Sequence, residues 1–274
     1  ALLAQPWCGF RLVATAQPED PRDWKHRLSL EVDRKLLPGF DRVIAANNQL
    51  ARQLCQLGCR RSQVDVIQSG VDTEQFHRAA VSHDLRGELR IPRDALVLGT
   101  WIDELTEDDL KLLAAMRRHV EQQFGPLHLI IMGDEPPGDA MPAEGSLFDG
   151  PRTHALIGHE NWPAVYAALD AFVLVGDNRR NVTPLLEAQS TEVPVACEHF
   201  PSVEEWIDQG TTGLVAEPRN TESLAEAVAR LLADRRAAQS IASAGRLRIC
   251  QRHRAIDRLR QIASTYRRVM AQAD

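Results

Sequence analysis

The chain has 274 residues, of which 44% are hydrophobic and 26% charged, as in an ordinary water-soluble globular protein. Its formal net charge of -6 argues against a general nucleic-acid-binding protein, which would carry a basic face. No apolar run approaches the ~20 residues of a membrane-spanning helix. The five cysteines are scattered and odd in number, which favours reduced thiols and a cytoplasmic protein, with peripheral membrane attachment left open.

Short apolar segments alternate with amphipathic segments along the whole chain. The predicted strands are, in order, Arg11–Thr15, Arg42–Ala45, Val64–Ile67, Ala95–Trp101, Leu127–Met132, Thr153–Ile157, Ala171–Val175, Pro194–Cys197 and Gly213–Ala216. The predicted helices begin near Asn47, Thr106 or Asp108, Asn161, Thr183, Ser202 and Thr221, and a last one carries Ile256 to Met270. Residues 77–94 are polar without periodicity and are predicted to be a linker. The alternation predicts an α/β fold with a doubly wound parallel sheet.

The segment from Gly176 to Glu187 carries the strongest local signal for a binding site. Ligands of such sheets bind at the carboxyl ends of the strands, where the strand order reverses. Thr183 is a suitable N-cap and Pro184 suits the first helical position, so a polar loop is expected to lead into a helix start that favours a diphosphate. Glu187 lies one turn further on, either as an acceptor for two ribose hydroxyls or as a carboxylate that simply stabilises the helix start.

An ordered set of segments resembles the family 4 glycosyltransferases, which have the GT-B fold. These segments are 40–45, 64–67 with 69–72 and Phe76, 130–136, 165–174, 181–188 with 193–195, and Trp206-Ile207 followed by Gly210, 213–215 and Pro218. Each segment alone is a weak match, but their order is specific. The resemblance implies the nucleotide-sugar-binding Rossmann-like half of a GT-B protein, with a remnant of a second Rossmann-like domain.

The resemblance also implies retaining transfer of a sugar from a nucleotide diphosphate sugar, without a bound metal or other cofactor. Glu187 would hold the ribose, and Asn181, Val182 and Thr183 would face the diphosphate. The base would be bordered by Gly133, Asp134, Glu135 and His159. The implied partners are the donor and a saccharide or lipid-linked acceptor, with no nucleic acid and no transmembrane segment.

Several positions depart from the pattern of the family. Arg179 stands where the family has a glutamate that touches the donor sugar, so it takes the catalytic position. Asp103 and Asp108 stand where an arginine and a lysine contact the diphosphate, and acidic groups there would repel it. Arg179 and Arg180 either replace those cations or are solvated loop residues.

The resemblance divides the chain into a partial acceptor-side domain at 1–78, a nucleotide-sugar-binding domain at 79–254 and a crossover helix at 255–274. The apolar face of that helix is expected to need further amino-terminal domain or a partner to cover it. The leading hypothesis is a glycosyltransferase that is active with a complete first domain. The alternatives are a catalytically silent binding or scaffold module and, from fold analogy alone, another nucleotide-sugar enzyme such as an epimerase.

Overall fold

A computed structural model describes residues 11–16, 35–103, 105–134, 150–176 and 182–271. Its strands are β1 (Val13–Ala16), β2 (Arg42–Ala45), β3 (Val64–Val66), β4 (Val97–Trp101), β5 (His128–Gly133), β6 (Thr153–Ile157), β7 (Ala171–Leu174), β8 (Val195–Glu198) and β9 (Leu214–Ala216). Its α-helices are α1 (Asn48–Gln56), α2 (Leu85–Glu88), α3 (Glu107–Phe124), α4 (Trp162–Ala167), α5 (Thr183–Ser190), α6 (Thr221–Ala233), α7 (Arg235–Arg252) and α8 (Ala255–Ala271). Within the described ranges, no helix has both the length and the apolar character needed to cross a membrane.

The chain forms two compact units with a separate sheet in each. The first comprises Ala1–Gly70 and His253–Asp274, and the second comprises Val71–Arg252. The sequence placed these boundaries after residues 78 and 254. Both sheets are parallel throughout. The predicted fold class, α/β with two Rossmann-like sheets, is confirmed.

The first unit contains a three-stranded sheet in the order β1-β2-β3. Helix α1 connects β2 to β3, and Asn47 caps its start by accepting the amide hydrogen of Leu50 at 2.7 Å. Helix α8 belongs to the same unit because Thr265 donates a hydrogen bond to Asp65 of β3 at 3.0 Å. Arg268 donates to the same carboxylate oxygen at 2.8 Å, so two side chains of α8 are tied to one strand.

The second unit contains a six-stranded sheet in the order β6-β5-β4-β7-β8-β9. Side chains of β7 alternate between two cores, since Phe172 and Leu174 face one and Ala171 and Val173 face the other. Helices α3 and α6 pack together over the core that contains Val173, and α5 packs on α7 over the core that contains Phe172. Helices on both faces define the doubly wound arrangement.

The order of these strands reverses between β4 and β7, which are direct neighbours. The chain moves outward from β4 through β5 to β6, and then returns to β7 and moves outward the other way. Thr100 of β4 is paired with Val173 of β7, so the two strands end side by side. The helices that follow them lie on opposite faces of the sheet, and in open α/β sheets ligands bind at such a reversal.

Three predicted details of secondary structure are wrong. The supposed linker 77–94 contains α2, and its Leu85 and Ile91 are buried in the second unit. The helix expected from Ser202 is only a 3₁₀ turn, Val203–Glu205. Helix α7 was not predicted, because its buried face consists largely of small residues and gives no apolar periodicity: Ala238, Ala242 and Gly245.

Gly99 of β4 is expected to tolerate no side chain. A Cβ atom at this position would overlap the side chain of Leu169, which is itself fully buried. Gly99→Ala should therefore lower the free energy of unfolding by about 1–3 kcal/mol, measured by urea denaturation. The double variant Gly99→Ala/Leu169→Ala should be more stable than the sum of the single variants predicts, because the truncated leucine leaves room for the methyl group. Simple additivity would contradict this explanation.

Candidate donor-binding site

Helix α5 begins at the reversal of strand order, directly after the loop that follows β7. The predicted capping is wrong by one residue: Val182 occupies the N-cap position, Thr183 is the first helical residue and Pro184 follows it. The backbone oxygen of Val182 accepts the amide hydrogens of Leu185 and Leu186, both at 3.1 Å. The side chain of Val182 carries no polar group, so the N-cap side chain does not neutralise the positive end of the helix dipole.

Glu187 lies one turn into α5 and is held by a buried tyrosine. Tyr166 of α4 is fully buried, and its hydroxyl donates to Oε2 of Glu187 at 3.0 Å. Burial raises the pKa of Tyr166 well above its ordinary value, and Glu187 raises it further, so the phenol stays protonated and remains the donor. Oε1 of Glu187 takes no part in this hydrogen bond.

The carboxyl group of Glu187 has a strongly perturbed pKa of about 7. Burial is the largest cause, the hydrogen bond from Tyr166 works in the opposite direction, and the charge of Asp134 adds a further increase. A half-buried carboxyl group that has no cationic partner among the described residues costs stability when it ionises, so packing alone does not explain its presence. Such groups are concentrated at functional sites.

The predicted residues after β5 and β6 come together in the structure. The amide of Gly158 donates to the backbone oxygen of Gly133 at 2.8 Å, which places Asp134 beside the turn that contains His159. Nδ1 of His159 accepts the amide hydrogen of Asn161 at 3.0 Å, so the neutral ring carries its proton on Nε2. Gly133, Asp134 and His159 therefore line one part of the carboxyl edge of the sheet.

A short row of aromatic rings lies beside this part of the edge. Trp101, at the end of β4, is 5.1 Å between ring centroids from Trp162, and Trp162 is 5.8 Å from His159. Both pairs are tilted rather than stacked. Trp101 is buried and supports the row from the core, whereas Trp162 and His159 are partly exposed and could offer flat surfaces to a nucleotide base.

The two acidic residues that depart from the family pattern are already engaged. Both oxygens of Asp103 accept the amide hydrogen of Asp134 at 3.1 Å, so this carboxylate joins the ends of β4 and β5. Asp108 has a side chain that is 82% exposed and lies 3.8 Å from Lys111. Water and Lys111 screen its charge, and the expected repulsion of a diphosphate by Asp108 is correspondingly weak.

A buried network that the sequence analysis did not select lies at the same edge. Glu198, at the end of β8, accepts the amide hydrogen of Gly176 at 2.9 Å and that of Arg219 at 2.6 Å. The guanidinium group of Arg219 forms an ion pair with Asp109 in the first turn of α3. Glu198 directly follows the predicted strand Pro194–Cys197, and this position could have indicated a site residue. No local feature of the sequence indicated Arg219.

The remaining predicted site residues lie outside the described part of the chain. They are Glu135, Arg179, Arg180 and Asn181. Their predicted roles at the base, the donor sugar and the diphosphate therefore stay predictions. The described residues place Val182, Thr183 and Glu187 at the start of α5, and Gly133, Asp134 and His159 at the ends of β5 and β6.

Profiles of known protein families identify the family to which the chain belongs. The profile of the family described as glycosyl transferases group 1 matches residues 93–234, which is more than half of the chain. The chain belongs to this glycosyltransferase family. A second profile, described as Glycosyltransferase Family 4, matches residues 1–75. The glycosyltransferase match therefore includes the sheet reversal and the start of α5, and it confirms the family resemblance read from the motifs.

Curated relatives of the chain are glycosyltransferases of actinobacteria. A GDP-mannose-dependent alpha-(1-6)-phosphatidylinositol monomannoside mannosyltransferase of Mycobacterium tuberculosis is 26% identical over 232 residues, which are 78% of this chain and 58% of the relative. A D-inositol 3-phosphate glycosyltransferase of Nocardia farcinica is 26% identical over 218 residues, which are 74% of this chain and 47% of the relative. The chain thus spans about half the length of the curated relatives that it matches.

Solved structures show the same fold. Anabaena HepE in complex with UDP and glucose matches 97% of this chain and 73% of its own, with a TM-score of 0.76 and 20% identity. Sucrose-phosphate synthase from Thermosynechococcus elongatus matches 98% of this chain and 70% of its own, with a TM-score of 0.78 and 21% identity. The predicted GT-B architecture is thereby confirmed.

Glu187 is expected to destabilise the folded protein above neutral pH. Because the folded state raises its pKa from 4.5 to about 7, the folded state binds the proton more tightly, and stability falls as the pH rises through this window. Glu187→Gln keeps an acceptor for Tyr166 and removes the charge. It should raise the free energy of unfolding by about 1–3 kcal/mol at pH 8 and change it little at pH 5.

Chemical denaturation at the two pH values measures this difference. Glu226→Gln is the matched control, because Glu226 is an exposed carboxylate of α6. An equal effect of Glu187→Gln at pH 5 and pH 8 would show that ionisation of Glu187 is not the cause.

Proposed function

We propose that this chain carries the donor-binding half of a glycosyltransferase that moves a sugar from a nucleoside diphosphate sugar to an acceptor. The proposal depends above all on Glu187, a carboxylate held by Tyr166 one turn inside a helix that starts at the strand reversal. A carboxylate at that distance from the start of α5 can accept ribose hydroxyls while the helix start binds the diphosphate. Family membership supports the same assignment of roles.

The chemical contribution of this half is stabilisation of the leaving group. Cleavage of the bond between the sugar and the phosphate leaves negative charge on the nucleoside diphosphate. The positive end of the α5 dipole would stabilise that charge, since it lies beyond the sheet at the reversal of strand order. In this proposal the transfer retains the anomeric configuration, as the family resemblance implies, and no protein-bound metal takes part.

The ribose contact requires the ionised form of Glu187. Its Oε2 accepts from Tyr166, and the proposal assigns Oε1 to the ribose hydroxyls. A protonated carboxyl group would offer a weaker acceptor, so donor binding is coupled to the pKa of this group, about 7.

The relatives favour a broad class of substrates rather than one compound. The mycobacterial relative is named for GDP-mannose and for a phosphatidylinositol monomannoside acceptor, whereas HepE was solved with UDP and glucose. We assign this chain a nucleoside diphosphate hexose as donor. A saccharide or lipid-linked acceptor is proposed, and a lipid-linked one would bring the protein to a membrane surface without crossing it.

Arg179 favours a second candidate, a catalytically silent relative that binds a donor without transferring its sugar. The family carries a glutamate at this position, and an arginine cannot replace its hydrogen-bond acceptance. Binding of a donor to the chain, with no transfer of radiolabelled sugar by the complete protein, would select this candidate.

Donor binding is the first measurement that tests the proposal. Titration calorimetry with UDP-glucose and GDP-mannose should detect binding of at least one of them at millimolar concentration or below. Glu187→Gln should weaken that binding about tenfold or more, because hydrogen bonds to a charged acceptor contribute roughly 1.5–3 kcal/mol. Glu226→Gln should bind as the unmodified chain does. Failure of the unmodified chain to bind any nucleotide would remove the donor-site assignment.

The pH dependence of the same affinity gives an independent test. Affinity of the unmodified chain should rise about five- to tenfold between pH 6 and pH 8, since Glu187 ionises across this window. Nucleotide sugars are suitable probes because their diphosphate has no ionisation in this range. The Glu187→Gln variant should show a flat profile, and a profile as steep as that of the unmodified chain would assign the effect to another group.

A further inference from the structure

Negative charge dominates the described part of the carboxyl edge of the six-stranded sheet. Asp103, Asp134 and Glu187 all lie there, as the ends of β4 and β5 and the start of α5 place them. In the described parts of the loops that follow β4 to β9, Arg219 is the only arginine or lysine. A diphosphate bound at this edge meets this single permanent cation among the described loop residues.

The backbone of Arg219 is held in a conformation that side chains rarely adopt. Its φ angle is 58°, in the left-handed region that favours glycine. Its amide donates to Oε1 of Glu198 at 2.6 Å, and the amide of Gly176 donates to Oε2 of the same carboxylate at 2.9 Å. Glu198 is buried, so one fixed group joins the loop after β9 to the loop after β7.

The side chain of Arg219 is directed by a second buried carboxylate. Its Nη1 forms an ion pair with Oδ1 of Asp109, whose side chain is only 3% exposed. Oδ2 of Asp109 accepts from the amide and hydroxyl of Thr106 at 2.8 and 2.7 Å, so the carboxylate cannot swing away. A Cβ atom at Gly176 would lie 3.3 Å from this carboxylate, which places the guanidinium group beside the start of the β7–α5 loop.

The guanidinium group keeps donors available for a ligand. The side chain of Arg219 is 52% exposed, and its Nε and Nη2 donate to no residue in the described part of the chain. The ion pair with Asp109 uses only Nη1 of the guanidinium group. A purely structural counter-ion would leave unexplained why an arginine occupies a left-handed position with half of its side chain exposed.

We propose that Arg219 binds the diphosphate of the donor, with Asp109 and Glu198 as the residues that position it. This assignment rests on the proposed donor-binding function and names a residue for it. Arginine suits the role because its planar fork can offer two parallel N–H groups to phosphate oxygens while a third holds Asp109. Arg219 thereby supplies positive charge at an edge where Asp103 and Asp108 stand in the places of basic residues.

The test separates loss of the cation from loss of the fold. Arg219→Gly removes the guanidinium group and suits the φ angle of 58°. The double variant Asp109→Asn/Arg219→Gly also avoids a buried, unpaired carboxylate. Arg219→Lys retains the charge and loses the planar fork. Calorimetry with UDP and GDP gives the diphosphate affinity, ligand-observed NMR with uridine and guanosine gives the nucleoside affinity, and thermal denaturation checks folding.

The expected result is selective loss of diphosphate affinity. Both glycine variants should bind the preferred nucleoside diphosphate at least about tenfold more weakly, with nucleoside affinity unchanged and Arg219→Lys intermediate. Unchanged diphosphate affinity in the folded double variant, or equal losses for nucleoside and diphosphate, would overturn the role of Arg219 while the donor site stands. If the unmodified chain binds no nucleotide, the proposed function fails and this assignment fails with it.

Discussion

The adjacency of β4 and β7 is the constraint on which the candidate site depends. Parallel strands that are neighbours in space but distant in sequence send their following loops to opposite faces of the sheet. The strand order alone determines where those loops diverge, and helix α5 begins at that position. Gly99 sits in the middle of β4 against Leu169, so close packing of the turn between α4 and β7 on the sheet is part of the same constraint.

Three partly or fully buried carboxylates lie at this edge of the sheet, and each has a different set of partners. Asp109 has a cation and two donors from Thr106. Glu198 has two backbone amides and serves as a clamp between loops. Within the described part of the chain, Glu187 accepts a hydrogen bond only from the Tyr166 hydroxyl, and burial together with the charge of Asp134 raises its pKa to about 7. The contrast identifies Asp109 and Glu198 as supporting residues and Glu187 as the group left available for a ligand.

Most of the fold followed from local sequence, because buried strands of a parallel sheet are short continuous apolar runs bounded by turns. All nine predicted strands occur, with ends that differ by no more than two residues. Helix α7 was not predicted because its buried face consists largely of Gly245 and two alanines, which give no apolar periodicity; at Gly245 an added Cβ atom would lie 3.3 Å from the backbone oxygen of Thr212. The partners of Glu187 and Arg219 could not be predicted either, since Tyr166 and Asp109 are brought to them only by packing of separate helices on the sheet.

The acidic substitutions in the loop after β4 do not by themselves make the site inactive. Asp103 accepts the amide hydrogen of Asp134, and Asp108 lies in water beside Lys111, so hydrogen bonding and solvent weaken the repulsion that these two carboxylates would exert on a diphosphate. Their effect is instead to remove two cations that the family places there. A guanidinium group anchored on Asp109 can restore charge at the same helix start from the far side of the sheet. In the proposed arrangement the positive charge at the site comes from a different strand than in the family, and Arg179 is the departure that bears on the donor sugar.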